Sequence, residues 1–188
     1  MRSLNARRAA PAFCAALIAA AVAAEGWAGS ASSNLSVTAT VSQNCLISTS
    51  AVAFGSYDPV LAHGASGSPL NGTGSVAVTC TKSAAGVNIT LGLGANPSGS
   101  TRRLLGAASG NHLTYELYHP SASTPGAPCT FPGTTVWGTS GGAIFTPSGV
   151  AGWGAASTKT FNVCGTVPNG QDVAADSYTD SVVATINF

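Results

Sequence analysis

One stretch of the sequence, Leu35-Ser36-Val37-Thr38-Ala39-Thr40-Val41, alternates strictly between apolar residues at odd positions and hydroxyl-bearing residues at even positions. Successive side chains of a β-strand point to opposite faces, so this pattern predicts a strand with one apolar face. Helical periodicity is nearly absent from the residues that follow, and short apolar alternations recur between clusters of Gly, Pro and Asn. The sequence therefore predicts an all-β fold.

Further strands are predicted wherever the alternation returns between turn-forming clusters. They are residues 52–54, 75–80, 87–93, 113–118, 134–137, 158–167 and 178–188. This number of short strands is typical of a β-sandwich of immunoglobulin type. The sequence shows no internal repeat and no break in composition, so it predicts one such domain.

The last predicted strand, residues 178–188, is apolar along one face and ends with the chain. A long terminal strand of this kind can leave an unpaired edge or an open groove that pairs with another chain. The alternating strand at residues 35–41 lies at the opposite end, where it is free to leave its own domain. The two ends are complementary, as in recognition by strand addition. The apolar face of the last strand carries Tyr178, Val182, Ala184, Ile186 and Phe188.

Residues 1–31 have the layout of a secretory signal peptide, with Arg2, Arg7 and Arg8 ahead of an alanine-rich run. Glu25 interrupts that run, which is too short to span a membrane, so no membrane anchor is predicted. Cleavage is taken to follow Ala31, although Ala23 and Ser30 also fit. Residues 32–44 then form the N-terminal strand segment, and residues 45–188 form the β-sandwich domain.

The predicted signal peptide takes away three of the seven basic residues and one of the six acidic residues, so the exported chain is close to neutral. Such a chain has no basic stripe to neutralise phosphates, which excludes nucleic acid as a partner and argues against electrostatic membrane binding.

Cysteine usage points to disulfide bonds. Cys14 lies in the predicted signal peptide, which leaves an even set in an oxidising compartment: Cys45, Cys80, Cys129 and Cys164. These four allow three connectivities. The pairing Cys45–Cys80 with Cys129–Cys164 is favoured because each pair closes a loop of similar, moderate length. No Cys-x-x-Cys or paired Cys/His spacing supports a zinc site.

Residues suited to catalysis or metal binding are scattered, so we expect no enzyme activity and no cofactor. No Gly-x-Ser-x-Gly elbow occurs. The three histidines have no acidic partner at ligand spacing: His63, His112 and His119. The nearest carboxylates share one turn-and-strand segment instead of facing each other across a cleft: Asp172, Asp176 and Asp180.

Two other groups have alternative interpretations. Arg102 and Arg103 are either a ligand-binding pair or, as favoured, a solvated turn or a local ion pair with Glu116. Aromatic residues either line a sugar-binding surface or, as favoured, pack in the core. These aromatic residues are Tyr118, Phe131, Trp137, Phe145 and Trp153.

A series of short motifs follows the N-terminal strand along the chain. They are Val52-Ala53-Phe54-Gly55-Ser56-Tyr57-Asp58-Pro59, Arg102-Arg103-Leu104, Thr135-Val136-Trp137-Gly138, Gly165-Thr166-Val167-Pro168-Asn169-Gly170-Gln171, and the terminal residues from Ser177 to Phe188. Their order and spacing over nearly the whole exported chain resemble the spore coat protein U domain family, which includes pilins of the archaic chaperone–usher pathway.

The resemblance implies an incomplete immunoglobulin-like β-sandwich that lacks its seventh strand and is completed by donor-strand exchange. A periplasmic chaperone would hold the subunit, an outer-membrane usher would assemble it, and a homologous subunit in the fibre would lend its N-terminal strand. The donated side chains are then Leu35, Val37, Ala39 and Val41. The residues that border the acceptor groove and contact the chaperone are Val182, Ala184, Ile186 and Phe188.

The family resemblance treats the two predicted disulfides differently. Cys45 and Cys80 match the family's disulfide between the first two strands. Cys164 stands where the family usually has another residue, so the pairing of Cys129 with Cys164 rests on the even number of cysteines.

Together these observations predict a secreted structural subunit of an extracellular pilus or surface coat, which passes through the periplasm to the cell surface. The alternative is a secreted carbohydrate-binding or surface-binding adhesin module. A small secreted enzyme is a further rival. Pilus and coat remain open at this point, as does the place of the subunit within the assembly.

Overall fold

The computed structural model describes residues 29–149 and 157–188, and these residues confirm the all-β prediction. The predicted signal peptide falls almost entirely on residues 1–28, outside the described residues. The strands are β1 (Cys45–Ser50), β2 (Leu70–Cys80), β3 (Asn88–Leu91), β4 (Arg102–Gly106), β5 (His112–Tyr118), β6 (Lys159–Val167), β7 (Tyr178–Thr179) and β8 (Ala184–Asn187), with a 3₁₀ turn at Gly141–Ala143.

The chain forms two compact units, Met1–Ala39 and Thr40–Phe188. In the described part of the first unit, residues 29–39, no helix or strand is present and every residue is exposed. All eight strands belong to the second unit.

The second unit is a sandwich of two antiparallel sheets. The six-stranded sheet has the order β1-β2-β6-β5-β4-β7, and the two-stranded sheet pairs β3 with β8. Both sheets contribute to one buried core, in which Val76 and Val78 of β2 meet Ile89 of β3 and Phe161 of β6. This architecture is the incomplete immunoglobulin-like sandwich predicted from the sequence.

The final predicted strand at residues 178–188 is instead two strands in different sheets. Tyr178–Thr179 pairs with β4, whereas Ala184–Asn187 pairs with β3, and the residues between them cross from one sheet to the other. Asp180 anchors the crossing, because its carboxylate accepts hydrogen bonds from the Tyr115 hydroxyl (2.6 Å) and the Ala95 backbone N–H (2.8 Å). Tyr178 therefore lies in a different sheet from Ile186, although both pack against the core.

Other strand predictions were partly wrong. Residues 52–54 and 134–137 form no strand, although Val136 makes an isolated bridge with Tyr118. Strand β1 was not predicted because the exposed Leu46 follows Cys45 and obscures the alternation. Strand β4 was not predicted because its first two residues are arginines.

Both disulfide predictions are confirmed. Cys45–Cys80 joins the paired strands β1 and β2, and Cys129–Cys164 joins β6 to the long connection between β5 and β6. Each bridge closes a loop with a sequence separation of 35 residues.

Replacing both Cys129 and Cys164 with serine is expected to lower the free energy of unfolding by about 3–4 kcal/mol, because the unfolded chain regains the freedom that loop closure removes. Urea unfolding under oxidising conditions measures the change. An unfolding midpoint equal to that of the wild type would show that the bridge adds nothing to stability.

Candidate strand-accepting groove

Strand β8 presents an unpaired main-chain edge. Ile89 of β3 exchanges both of its backbone hydrogen bonds with Phe145, on the side of β3 away from β8. Because hydrogen-bonding direction alternates along an antiparallel strand, the pair Ile89 and Ile186 is not hydrogen-bonded. The backbone groups of Ala184 and Ile186 consequently point away from β3, and they have no backbone partner among the described residues.

Strand β1 presents a matching edge. The Thr81 backbone N–H donates to the Asn44 carbonyl oxygen at 2.8 Å, which makes the next pair, Cys45 and Cys80, a non-hydrogen-bonded one. The backbone groups of Cys45 and Ile47 therefore point away from β2. Among the described residues, β1 has no strand partner other than β2.

The same residues direct apolar side chains inward. Ala184 and Ile186 are half-buried and pack against the core, while Thr185 and Asn187 between and after them are exposed. On β1, Cys45 is buried and Ile47 packs against the core. Each edge thus combines free main-chain groups with an apolar inner face, which is the combination that an added strand needs.

A groove of about 710 Å³ lies between the segment after β1 and the segment before β8. Residues 52–57 line one side and residues 173–180 line the other. Its floor is apolar and includes Leu104 of β4, Leu113 of β5 and Val167 of β6. The groove therefore lies over core side chains, between two chain segments that do not pair with each other.

Asp176 fixes the polar rim of this groove. Its carboxylate accepts hydrogen bonds from the Ser109 backbone N–H (2.7 Å), the Ser109 hydroxyl (2.8 Å) and the Ala108 backbone N–H (2.8 Å). These bonds favour the charged form and lower the pKa of Asp176 to about 2. The turn between β4 and β5 is thereby tied to the chain that enters β7.

This depressed pKa predicts an acid-sensitive contribution to stability. The carboxyl group titrates near 3.8 when unfolded and near 2 when folded, so its contribution is complete above about pH 4 and is lost as the pH falls toward 2. Asp176→Asn is expected to flatten the dependence of the thermal unfolding midpoint between about pH 5 and about pH 2.5.

Asp172→Asn is the matched control, because Asp172 lies in the same segment and its side chain makes no hydrogen bond within the described residues. It is expected to keep the wild-type pH profile. If the Asp176 variant lost as much stability over this range as the wild type, the rim carboxylate would not be the acid-sensitive group.

Asp180 lies at the end of the groove and also limits what can occupy position 94. Gly94 has a φ of +87°, and a Cβ atom there would meet the Asp180 carboxylate. Burial and the hydrogen bond to Asp180 raise the pKa of Tyr115, so its hydroxyl remains a donor to that carboxylate. Asp180, at the crossing into β8, therefore has the Tyr115 hydroxyl as a hydrogen-bond donor and Gly94 as a close neighbour.

None of the four residues predicted to border the acceptor groove lines the cavity at residues 52–57 and 173–180, but three of them lie together at the β8 edge. Val182, Ala184 and Ile186 pack against the core at the β8 edge, while Phe188 beyond the strand is half-exposed. The sequence prediction missed the opposite edge, which is strand β1. The available signal was the spacing of Cys45 and Ile47, which places both side chains on one face of a strand. The prediction also missed Leu104 and Leu113 in the floor.

The predicted donor residues lie outside any strand. Leu35, Val37 and Val41 have more than four-fifths of their surface exposed, and Ala39 is exposed as well. Within residues 29–149 and 157–188, no partner strand covers this apolar alternation.

The structure distinguishes the alternatives for the arginine pair. Arg102 is completely buried and forms an ion pair with Glu116, which confirms the predicted pair but makes the solvated turn wrong for Arg102. It also donates to the carbonyl oxygens of Leu91 (3.1 Å), Gly92 (2.9 Å) and Trp137 (2.6 Å). Arg102 thus links β4 to β5, to the end of β3 and to the loop that carries Trp137.

The aromatic residues mostly follow the core interpretation. Trp137 and Phe145 are buried and in contact with each other, with ring centroids 4.7 Å apart, and Tyr118 is half-buried. Phe131 is partly exposed, and Trp153 lies outside the described residues.

The histidines occupy two different settings. His63 stacks on Tyr57, and burial lowers the pKa of His119, which contacts both Trp137 and Phe145. Within residues 29–149 and 157–188, no three His, Cys, Asp or Glu side chains are grouped to hold a metal ion. In the same residues, no helix has the length and apolar character needed to cross a membrane.

Comparison with known proteins gives the family. The Spore Coat Protein U domain matches residues 31–185. The chain belongs to the spore coat protein U domain family. This confirms the resemblance drawn from the sequence. Among curated relatives of this spore coat protein U domain chain, Protein U of Myxococcus xanthus is 38% identical over 171 residues, which cover 86% of this chain and 87% of that protein.

A solved structure is also similar to this family member. It is the chaperone–tip adhesion subunit pre-assembly complex CsuC–CsuE from the archaic chaperone-usher Csu pili of Acinetobacter baumannii. The match has 19% sequence identity and a TM-score of 0.47, and it covers 79% of this chain and 41% of the other.

Proposed function

We propose that this chain is a structural subunit of an extracellular pilus or surface coat, assembled by the chaperone–usher pathway through donor-strand complementation. The observation that supports the proposal is the pair of unpaired strand edges at β1 and β8, each of which has free main-chain groups and an apolar inner face. The exposed alternating segment at residues 35–41 is the complementary feature. Family membership is consistent with a surface assembly.

The groove and the segment match in their periodicity. A strand inserted between β1 and β8 pairs its main chain with Ile47 on one side and Ile186 on the other. Every second side chain of that strand then faces the core of the sandwich. Leu35, Val37, Ala39 and Val41 provide such a row, whereas the intervening Ser and Thr residues face solvent. Each subunit would fill the groove of one neighbour and receive a strand from another.

An unfilled groove exposes apolar surface and two strand edges, which favour aggregation. A periplasmic chaperone that lends a strand would protect the subunit in transit, and an outer-membrane usher would exchange that strand for the segment of the next subunit. The predicted signal peptide at residues 1–31 agrees with export into the periplasm and final placement at the cell surface.

Periplasmic expression with and without the cognate chaperone tests this proposal. Analysis by non-reducing gels and by size-exclusion chromatography with light scattering is expected to give a one-to-one complex with chaperone, and ladders or aggregates without it. A chain lacking residues 32–41 is expected to bind the chaperone but to form no polymer. A stable, monodisperse wild-type monomer made alone would overturn the proposal and favour the adhesin alternative, which a glycan array then examines.

A further inference from the structure

The residues that connect the exposed segment to β1 are held by hydrogen bonds. Gln43 uses both ends of its side-chain amide on one partner: Nε2 donates to the Ala85 carbonyl oxygen at 2.9 Å, and Oε1 accepts from the Ala85 backbone N–H at 3.2 Å. This arrangement reproduces the two-bond exchange of a β-bridge with a side chain.

A second contact holds the neighbouring residue. The Thr81 hydroxyl accepts a hydrogen bond from the Asn44 backbone N–H at 3.0 Å and lies 3.1 Å from the Asn44 carbonyl oxygen, to which it donates. The same hydroxyl is 3.5 Å from the Ser42 carbonyl oxygen. Gln43 and Asn44 are therefore hydrogen-bonded to the loop that follows β2.

That loop is itself anchored in the sandwich. Ala84 is buried with 2% of its surface exposed and belongs to the core, and its backbone N–H donates to the Thr81 carbonyl oxygen at 3.1 Å. Cys80, directly before the loop, is fixed to Cys45 by a disulfide. Gln43 is thus hydrogen-bonded to a loop that is anchored by the core and by the Cys45–Cys80 disulfide.

We infer that Gln43 is a positioning residue for strand donation, because its two hydrogen bonds to Ala85 hold the chain just before Asn44 against the loop at residues 81–86 and so fix where the donor segment leaves its domain. The inference rests on the proposed function. In that proposal, donor residues 35–41 lie in the neighbour's groove. The two hydrogen bonds between Gln43 and Ala85 then leave no flexible linker between the donor strand and β1. Successive subunits are then joined by a stiff connection instead of a flexible tether.

The first readout is independent of polymerisation. In the full exported chain bound to its chaperone, ¹⁵N relaxation is expected to give residues 42 and 43 order parameters of about 0.85 in the wild type and below about 0.6 in Gln43→Ala, whereas Asn44, which Thr81 holds, stays ordered in both. Ser42→Ala is the matched control, because the contact of Ser42 uses its backbone carbonyl, and it is expected to match the wild type. Equal thermal unfolding midpoints in all three chains would exclude a general loss of stability.

The second readout is the stiffness of the polymer in electron micrographs. Gln43→Ala fibres are expected to have a persistence length shorter by about twofold or more, with a broader distribution of angles between successive subunits. The inference alone would be overturned if Gln43→Ala left the stiffness of the polymer unchanged. It would also be overturned if residues 42 and 43 of the wild type were as mobile as the preceding segment. A rigid 42–44 segment in a wild-type chain that never polymerises would instead overturn the proposed function, and the inference with it.

Discussion

Replacing Val37 with aspartate is expected to abolish polymerisation. In the proposed assembly the Val37 side chain enters the groove of the neighbouring subunit, where an aspartate is a buried carboxylate without a partner and costs several kcal/mol. A loss of this size weakens strand donation by about a hundredfold or more. Sedimentation of purified subunit after release from its chaperone measures the polymer formed.

Thr38→Asp is the matched control for this substitution. It introduces the same charge one position along the strand, where the side chain faces solvent, because strand side chains alternate. We expect near-normal polymer from Thr38→Asp. Equal polymer from both variants, or equal loss, would show that the alternation of this segment does not determine donation.

Replacing Arg102 with methionine is expected to lower the free energy of unfolding by about 3–5 kcal/mol. The guanidinium is fully buried, so its removal leaves Glu116 without its cation and leaves carbonyl oxygens such as that of Trp137 without a donor. Because whole domains are stable by only about 5–15 kcal/mol, this change removes a large part of the total. Urea unfolding of the chaperone-released subunit at low concentration measures it.

Arg103→Met provides the comparison at the adjacent position. Arg103 is half-exposed and donates to the carbonyl oxygens of Asn96 (3.0 Å) and Pro97 (3.3 Å), both in the neighbouring loop. Its loss is expected to cost less than about 1 kcal/mol. If the two variants were equally stable, the buried arginine would not be a central support of the fold.

The sequence predicted the strands in which burial follows alternation. Strand β2 buries Val76, Val78 and Cys80, and β5 buries Leu113, Tyr115 and Leu117, so the pattern of apolar residues reports their inward faces directly. The family resemblance predicted that the sandwich is incomplete. In the structure, β1 and β8 are strands with an unpaired edge.

The sequence failed where tertiary contacts override local pattern. Strand β4 begins with an arginine that would be expected in solvent, but three carbonyl oxygens and Glu116 satisfy it inside the core. The apolar face of residues 178–188 is interrupted only at Asp180, and no local pattern shows that the chain changes sheet there. Asp180 marks that change, and the partners that hold it are about 65 and 85 residues away in the sequence.

The groove was likewise predicted only in part. The inward-facing residues of β8 were predicted because they form one apolar face near the end of the chain, but they do not line the groove. Residues 52–57 and 173–177 line the groove from segments that form no strand, although residues 52–54 were predicted as one, so strand alternation does not indicate which of these side chains face inward.

The most direct test of the groove is residue-level amide exchange measured by NMR on the chain lacking residues 32–41. Exchange is recorded alone and with a synthetic peptide of residues 32–44. The peptide supplies the proposed donor strand in trans, and a peptide carrying the Val37→Asp change serves as the negative control.

We expect the wild-type peptide to slow exchange at the amides that point into the gap between β1 and β8, namely those of Ile47, Ala184 and Ile186. The Thr185 amide, which already faces β3, is expected to change little. Unchanged exchange at the three gap-facing amides, or equal protection by the Val37→Asp peptide, would contradict the claim that this groove accepts the N-terminal strand of another subunit.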